Sequence, residues 1–264
     1  MKQNDVQTRV QAHVYEIDRC NQRGGRMLSL IDLWDAGSVD LSLAAYLAAM
    51  MRSGASLLVG ARPGGAGKTA VMCALLNFLP ARTAIQPVAG QAALAGALRD
   101  SHPGETCYVA HEIGAGPYYA YLWGGQARAF FGLAAQGHTI ASNLHADTLR
   151  ETREQLCREN GVEQAHLDAV TLKVYLRTSR QSGGSLRRWV GRVYENDGAQ
   201  ERLLWEWTRG DAFARLAASA VVSPSQEARW AAFLTKLRRQ NVYTILDVRR
   251  ALFETPEAAP HKPR

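Results

Sequence analysis

One decapeptide limits the folds open to this chain more than any other stretch. Gly60-Ala61-Arg62-Pro63-Gly64-Gly65-Ala66-Gly67-Lys68-Thr69 follows a short apolar run at residues 56–60. It precedes a helical pattern over residues 68–79 that Pro80 closes. A strand, a glycine-rich loop and a helix in that order form the setting in which such a loop binds phosphate. Glycines let consecutive backbone N–H groups curl around phosphate oxygens, and the helix N-terminus adds the positive end of its dipole. The lysine reaches the β- and γ-phosphates, and the hydroxyl beside it ligates Mg²⁺. The candidate binding residues for ATP are Gly64, Gly65, Ala66, Gly67, Lys68, Thr69 and Ala70, with Thr69 also a Mg²⁺ ligand. The pattern Gly-x4-Gly-Lys-[Ser/Thr] puts its first glycine at position 62, where this chain has Arg62. Gly64 and Gly65 can supply the missing freedom, while an arginine there can alter the loop. The alternative is a glycine-rich turn with a chance Gly-Lys-Thr.

Strand and helix patterns alternate between residues 56 and 159, which argues for an open α/β sheet. Residues 107–110 and 139–144 read as apolar strands. Residues 91–99, 121–136 and 149–159 read as helices, the second stopped by Gly137 and the third by Asn160-Gly161. Upstream, residues 27–51 read as two helices and residues 1–26 as an arm or short helix with a linker. From residue 170 the pattern becomes antiparallel. Strands at 170–176 and 188–194 flank the turn Ser182-Gly183-Gly184, and 202–208 extends the set. Ser223-Pro224-Ser225-Gln226 is a strong helix start, with Trp230, Phe233, Leu234 and Leu237 on one face of the helix it opens. Residues 245–253 form a last helix. The domain reading is an arm at 1–26, an α/β domain with its hairpin at 27–210, a helical appendage at 211–254 and a frayed tail at 255–264.

The 264 residues are 47% hydrophobic and 21% charged, which supports a large core without a disulfide or metal staple. A disordered chain, a fibre and a disulfide-framed mini-protein are excluded. Cys20, Cys73, Cys107 and Cys157 form no Cys-x-x-Cys pair and read as free thiols in a reducing cytosol. Residues 1–15 are too polar for a signal peptide. The longest apolar stretch, 41–51, falls short of the roughly 20 residues that cross a bilayer. The expected location is cytoplasmic, with peripheral attachment at the inner face of the membrane as a second placement. The net charge of +7 fits contact with nucleic acid, an acidic membrane face or nucleotide.

A phosphate loop that hydrolyses its nucleotide needs a carboxylate at the end of a neighbouring strand. Cys107-Tyr108-Val109-Ala110-His111-Glu112 offers Glu112, as a catalytic group and as a holder of Mg²⁺ or its water. A solvent-exposed strand-end glutamate is the alternative, and His111 reads as structural. Gly137-His138-Thr139-Ile140-Ala141-Ser142-Asn143-Leu144-His145-Ala146-Asp147 brings two histidines and a strand into one short stretch. On its own it is no metal signature.

Together these segments resemble the type II/IV secretion-system ATPases, the motors of pilus assembly, type II secretion and conjugation. The likeness covers residues 27–177, and Leu28-Ser29-Leu30-Ile31-Asp32-Leu33, the helix to Met51 and the strand 56–59 look like the lead-in to that family's phosphate loop, most like its tight-adherence pilus and conjugative branches. Residues 108–114 resemble the Walker B segment, and residues 137–146 the histidine box. The resemblance implies a RecA-like P-loop NTPase fold, α/β with a mainly parallel sheet, a basic antiparallel hairpin and C-terminal helices. It implies Mg²⁺-dependent ATP hydrolysis, with catalytic Glu112 and with His145 near the γ-phosphate. It also implies a homo-oligomer, a hexamer in that family, working on a secretion or pilus membrane-platform protein. Departures accompany the likeness. The acidic box expected after the loop helix is matched only by Thr83-Ala84-Ile85-Gln86-Pro87, which has no carboxylate. His111 replaces a small glycine, Arg62 replaces the first loop glycine, and the N-terminal clamp domain of the family is reduced to at most residues 1–26. The chain is then either a slow, minimal ATPase or a nucleotide-binding adaptor, and the retained Lys68, Thr69, Glu112 and His145 favour turnover.

Arg177, Arg180, Arg187, Arg188 and Arg192 gather around the hairpin turn with Trp189 among them. They suit nucleic acid, an acidic neighbouring subunit, a charge-stabilising arginine supplied to another protomer, or a solvated hairpin. Arg99 and Arg128 are further candidates for that arginine. A DNA-handling P-loop protein is therefore a third functional reading, and a small-molecule kinase a more distant fourth. Trp205, Trp207 and Trp230 read as core or interface residues.

Overall fold

Leu57–Gly60 forms strand β1, and every residue in it is buried. A strand with no exposed face belongs inside a parallel sheet covered on both sides. β1 pairs in parallel with β5 (Thr139–Leu144) on one side and β6 (Leu172–Arg180) on the other. β3 (Thr106–Ile113) lies parallel to β5, and β2 (Ala84–Pro87) parallel to β3. The computed structural model describes residues 3–21, 24–208 and 212–254. Among these the strand order is β2-β3-β5-β1-β6-β7-β8-β9. β7 (Leu186–Asn196), β8 (Glu201–Thr208) and β9 (Ala212–Arg215) continue it antiparallel. β4 (Tyr121–Leu122) lies beside β3. One strand, β5, thus stands between the loop strand and the acid-bearing strand. This is the RecA-like P-loop arrangement, with a mostly parallel sheet.

Successive side chains on β1 serve two cores, as strand alternation requires. Leu57 and Val59 face a core shared by α1 (Gln3–Arg19), α2 (Leu30–Asp35), α3 (Leu41–Arg52), α4 (Lys68–Leu76), α9 (Pro224–Arg239) and α10 (Ile245–Phe253). Leu58 faces the other core, with α5 (Gln91–Ala97), α6 (Gly125–Ala135) and α8 (Gln164–Asp168). α7 (Leu149–Arg153) runs on into a π-helical turn at Glu154–Glu159. Caps fix the helix starts. Ser29 and Asp32 form a capping box on α2, and Ser223 and Gln226 form the one expected on α9.

Helix α4 ends in the core, and carbonyls at its end and in the turn that follows, residues 76–80, need donors there. Side chains from both ends of the described chain take them up. His13 of α1 lies 3.1 Å from the Leu76 carbonyl. Arg249 of α10 donates to the carbonyls of Asn77 at 3.0 Å, Leu79 at 2.6 Å and Pro80 at 3.1 Å. Asn77 Nδ2 donates back to Ile245 O at 3.0 Å. The guanidinium also sets positive charge at the negative end of the helix dipole.

These contacts change the segment reading. Within the stretch expected as an arm or short helix, Gln3–Arg19 form the long helix α1, whose Val10 and Ile17 are buried, because an amphipathic helix can cover the α4 and β2 side of the sheet. The division at residue 210 falls between β8 and β9, paired strands of one sheet. α9 packs on α3 in the same core as the loop helix. The helix expected from residue 121 starts at Gly125, because Tyr121 and Leu122 pair with β3 instead. The tail at 255–264 lies outside the described residues.

Replacing Arg249 by Met removes the donor of the buried Asn77 carbonyl and one of the two donors each of Leu79 O, which Arg52 also reaches, and of Pro80 O, which Thr83 N also reaches. It is expected to lower unfolding free energy by about 3 kcal/mol, read from urea titration. Burial, and after it the Arg249 charge, holds the His13 imidazole well below its ordinary value. The unfolded chain therefore takes up a proton as pH falls through about 6.5, while the fold keeps His13 neutral. Stability should decline below that pH, and His13→Gln should flatten the decline in urea midpoints measured between about pH 5 and 7.5.

Candidate functional site

The loop leaves β1 and turns into α4 through Gly65 at φ +79° and Gly67 at φ +95°. These left-handed values suit glycine and strain other residues. Arg62 is not among the left-handed residues, so its position does not demand a glycine. Its N–H donates to Asp147 Oδ1 at 2.8 Å, and its guanidinium lies 3.6 Å from Glu151. The substitution is thus absorbed by two carboxylates beside the loop. Gly67 is the N-cap of α4 and offers no side-chain cap. The first-turn amides of α4, including those of Thr69 and Ala70, therefore receive no hydrogen bond from a cap side chain, a setting that can bind an anion.

Lys68 is buried at 8% exposure, and Glu112 at 9%. Lys68 Nζ lies 2.9 Å from Glu112 Oε1 and donates to Ala61 O at 3.1 Å. His145 Nε2 lies 2.7 Å from the same Glu112 oxygen. His145 Nδ1 lies 3.2 Å from Arg62 O and 3.4 Å from Lys68 Nζ. Tyr121 donates its hydroxyl to Glu112 Oε2 at 3.0 Å. Lys68, Glu112 and His145, far apart in sequence, therefore meet at one point above the sheet. Such a cation–carboxylate–imidazole cluster at a helix N-terminus can bind phosphate and move a proton beside it.

Local backbone irregularity aims Glu112. β3 continues to Ile113, so Glu112 lies inside the strand rather than beyond its end. The register with β5 shifts between Ala110 and Ile113. A bulge of this kind re-aims a side chain next to a site. On the other edge of β3, beyond the end of β2, Glu112 and Ile113 pair with β4, which supplies Tyr121. The reading of Glu112 as a solvent-exposed strand-end residue is excluded by its burial and its contacts. His111 points into the core, with Nε2 3.4 Å from Cys20 Sγ and its ring against Tyr119. The Cys73 hydrogen bond, and after it His111, hold the Cys20 thiol down to about 6.

Other expected residues lie elsewhere. His138 is buried with Nε2 3.1 Å from Asp100 O, a structural contact. Arg128 donates to Asn160 O at 2.8 Å. Gln86 lies on β2 with no acid beside it in the strand. Among the described residues no cluster of three or more His, Cys, Asp or Glu forms a metal site. The sequence reading missed Tyr121, Asp147, Glu151 and the contact of Arg188 with the loop. Asp147 stood inside the quoted histidine segment, and Arg188 inside the basic hairpin. Tyr121 and Glu151 carried no local signal.

No family model and no curated protein match the chain. Among solved structures it is similar to the VirB11 ATPase of the Brucella suis type IV secretion system in complex with sulphate. That match has 20% identity and a TM-score of 0.44 over 63% of this chain and 54% of the other. The ATPase DotB of Yersinia pseudotuberculosis matches at 12% identity and TM-score 0.44, over 83% of this chain and 62% of that one. DotB of Legionella pneumophila matches at 9% identity and TM-score 0.44, over 89% and 65%. The chain thus spans between 54% and 65% of the length of these structures. The assignment of fold rests on the strand order.

Gly67→Ala tests the loop geometry. An added Cβ would stand 3.5 Å from Arg188 Cδ, an ordinary contact, so the cost is in the backbone. A loss of about 1 kcal/mol in unfolding free energy is expected, measured by urea titration.

Proposed function

We propose that the chain binds ATP on the Gly64–Ala70 loop and hydrolyses it, as a motor-type ATPase of a secretion or pilus-assembly apparatus. The observation that carries this reading is the meeting of Lys68, Glu112 and His145 over the uncapped N-terminus of α4. Loop amides at Gly65, Ala66, Gly67, Thr69 and Ala70 would cradle phosphate oxygens, and Lys68 would offset the charge that develops on the γ-phosphate. Phosphate entering the loop competes with Glu112 for Lys68. Binding would therefore release the carboxylate to align the attacking water and take its proton. The water oxygen bonds to the γ-phosphorus as the bond to the β–γ bridging oxygen breaks, which leaves ADP and phosphate. His145 stands beside that carboxylate with a ring nitrogen for the transferred group. Bound Mg²⁺ supplies further positive charge on the phosphates. Thr69 and Glu112 would hold such an ion, since they offer the hard oxygen donors it prefers.

The motif resemblance extends this reading to a homo-oligomer, a hexamer in that family, acting on a membrane-platform protein from the cytoplasmic side. Among the described residues no helix is long and apolar enough to cross a membrane. A second reading, a nucleotide-binding adaptor without efficient turnover, is favoured by Gln86 in place of a carboxylate on β2. The DNA-handling reading loses support, because hairpin arginines are engaged within the chain. Arg192 pairs with Glu206, and Arg187 stacks over Trp189 and Trp207.

The decisive measurement is Mg²⁺-dependent phosphate release at several protein concentrations, with ATP binding recorded on the same samples. Turnover is expected to rise more steeply than protein concentration. Lys68→Ala should weaken ATP binding and abolish release. Glu112→Gln should still bind ATP but turn over about 100- to 1,000-fold more slowly. Binding by the wild type without phosphate release would select the adaptor, and no binding at all would remove both readings.

A further inference from the structure

The hairpin of β6 and β7 carries five arginines expected from the sequence to act together, and the fold assigns them different tasks. Arg192 Nη2 lies 2.6 Å from Glu206 Oε1. Arg187 lies over the Trp189 and Trp207 rings. The Arg177 chain covers Gly191, where an added Cβ would come within 2.5 Å of its Cγ. Arg180 stands near the turn, paired with Leu186. Arg188 reaches the phosphate loop.

Strand register explains that reach. Tyr175 of β6 sits beside Gly60, the last residue of β1, and Thr178 faces Arg188 of β7. The step from Tyr175 to Thr178 carries the hairpin about 10 Å past the end of β1, at roughly 3.3 Å per residue. That is the level of the loop. The backbone at this point is pinned from the segment after α2. Ser38 Oγ donates to Arg188 O at 2.9 Å, and Val190 N donates to Ser38 O at 2.8 Å. The guanidinium is thus held over the loop. Arg188 Nε donates to Gly65 O at 2.8 Å, and Nη1 to Leu186 O at 3.3 Å. Nη2 has no hydrogen-bond partner among the described residues, and the side chain is exposed.

A guanidinium is a planar fork whose N–H donors match phosphate oxygens. Here one donor is spent on the loop carbonyl, which holds the charge at the rim, while another stays available. We propose that Arg188 is a second phosphate-binding cation, acting in the same protomer as Lys68. Lys68 approaches the phosphate chain from its buried pair with Glu112, and Arg188 approaches from the hairpin. A charge that P-loop enzymes often take from a neighbouring protein would then come from the chain itself. The proposal rests on the reading of the loop as a triphosphate site.

The test measures binding of ATP and of inorganic tripolyphosphate by calorimetry, on the wild type, Arg188→Ala and Arg188→Lys. Melting temperatures without ligand are recorded for each. Arg188→Ala should weaken both ligands by roughly 10- to 100-fold, Arg188→Lys should recover part of the loss, and the unliganded melting temperature should not move. Unchanged affinity for both ligands in Arg188→Ala overturns the proposal. A loss confined to ATP makes the contact one with adenosine and overturns the phosphate assignment. A loss that follows a fall in unliganded stability, without recovery by lysine, makes Arg188 a brace for Gly65 and also overturns it. If the wild type binds neither ligand, the triphosphate-site reading itself fails and this proposal with it. That outcome is distinct from wild-type binding that the variant leaves intact.

Discussion

Helix α4 has to satisfy opposite demands at its two ends. At its N-terminus Gly67 makes no side-chain cap, so the first-turn amides receive no bond from a cap side chain. Its C-terminus lies in the core, where free carbonyls would be costly, so Asn77, Leu79 and Pro80 receive the Arg249 guanidinium. An uncapped helix start costs stability, and the dense bonding at the far end offsets it. The same bonding brings α1 and α10 into one core with the loop helix.

The site itself follows from where charge is buried. Lys68 and Glu112 are both largely removed from water, and neither would be stable there alone. Their pairing offsets both charges, with His145 beside one carboxylate oxygen and the Tyr121 hydroxyl donating to the other. Buried pairs of this kind rarely add net stability over apolar residues. Their presence is better explained by chemistry that needs a cation and a carboxylate at one point. The β3 bulge is part of the same device, because it turns Glu112 out of the regular strand alternation toward the loop.

The hairpin shows how a shared composition can hide different roles. Trp189 and Trp207 pack in a tilted pair, 4.8 Å between centroids and 46° between planes, and give Arg187 an aromatic surface. Glu206 neutralises Arg192. What reads in sequence as one basic patch is in space a packed aromatic ladder, an ion pair and an arginine over the phosphate loop.

Local chemistry was legible in the sequence wherever neighbouring residues carry it. The strand–loop–helix unit, the capping box at Ser223 and Gln226, the apolar strand core before Glu112 and the strand ending before His145 rest on short-range propensity and periodicity. Those rules act over a few residues and survive in one dimension. Tertiary structure alone decided the rest. It inserted β5 between β1 and β3, which brings His145 to Glu112, and it paired Tyr121 with the bulged strand instead of starting a helix there. It also turned the residues expected as an arm and an appendage into supports of α4, and it lifted Arg188 to the loop through the register of β6 and β7. Each of these depends on contacts between residues distant in sequence. Their free energy comes from burial and from satisfying buried polar groups, which no local pattern records.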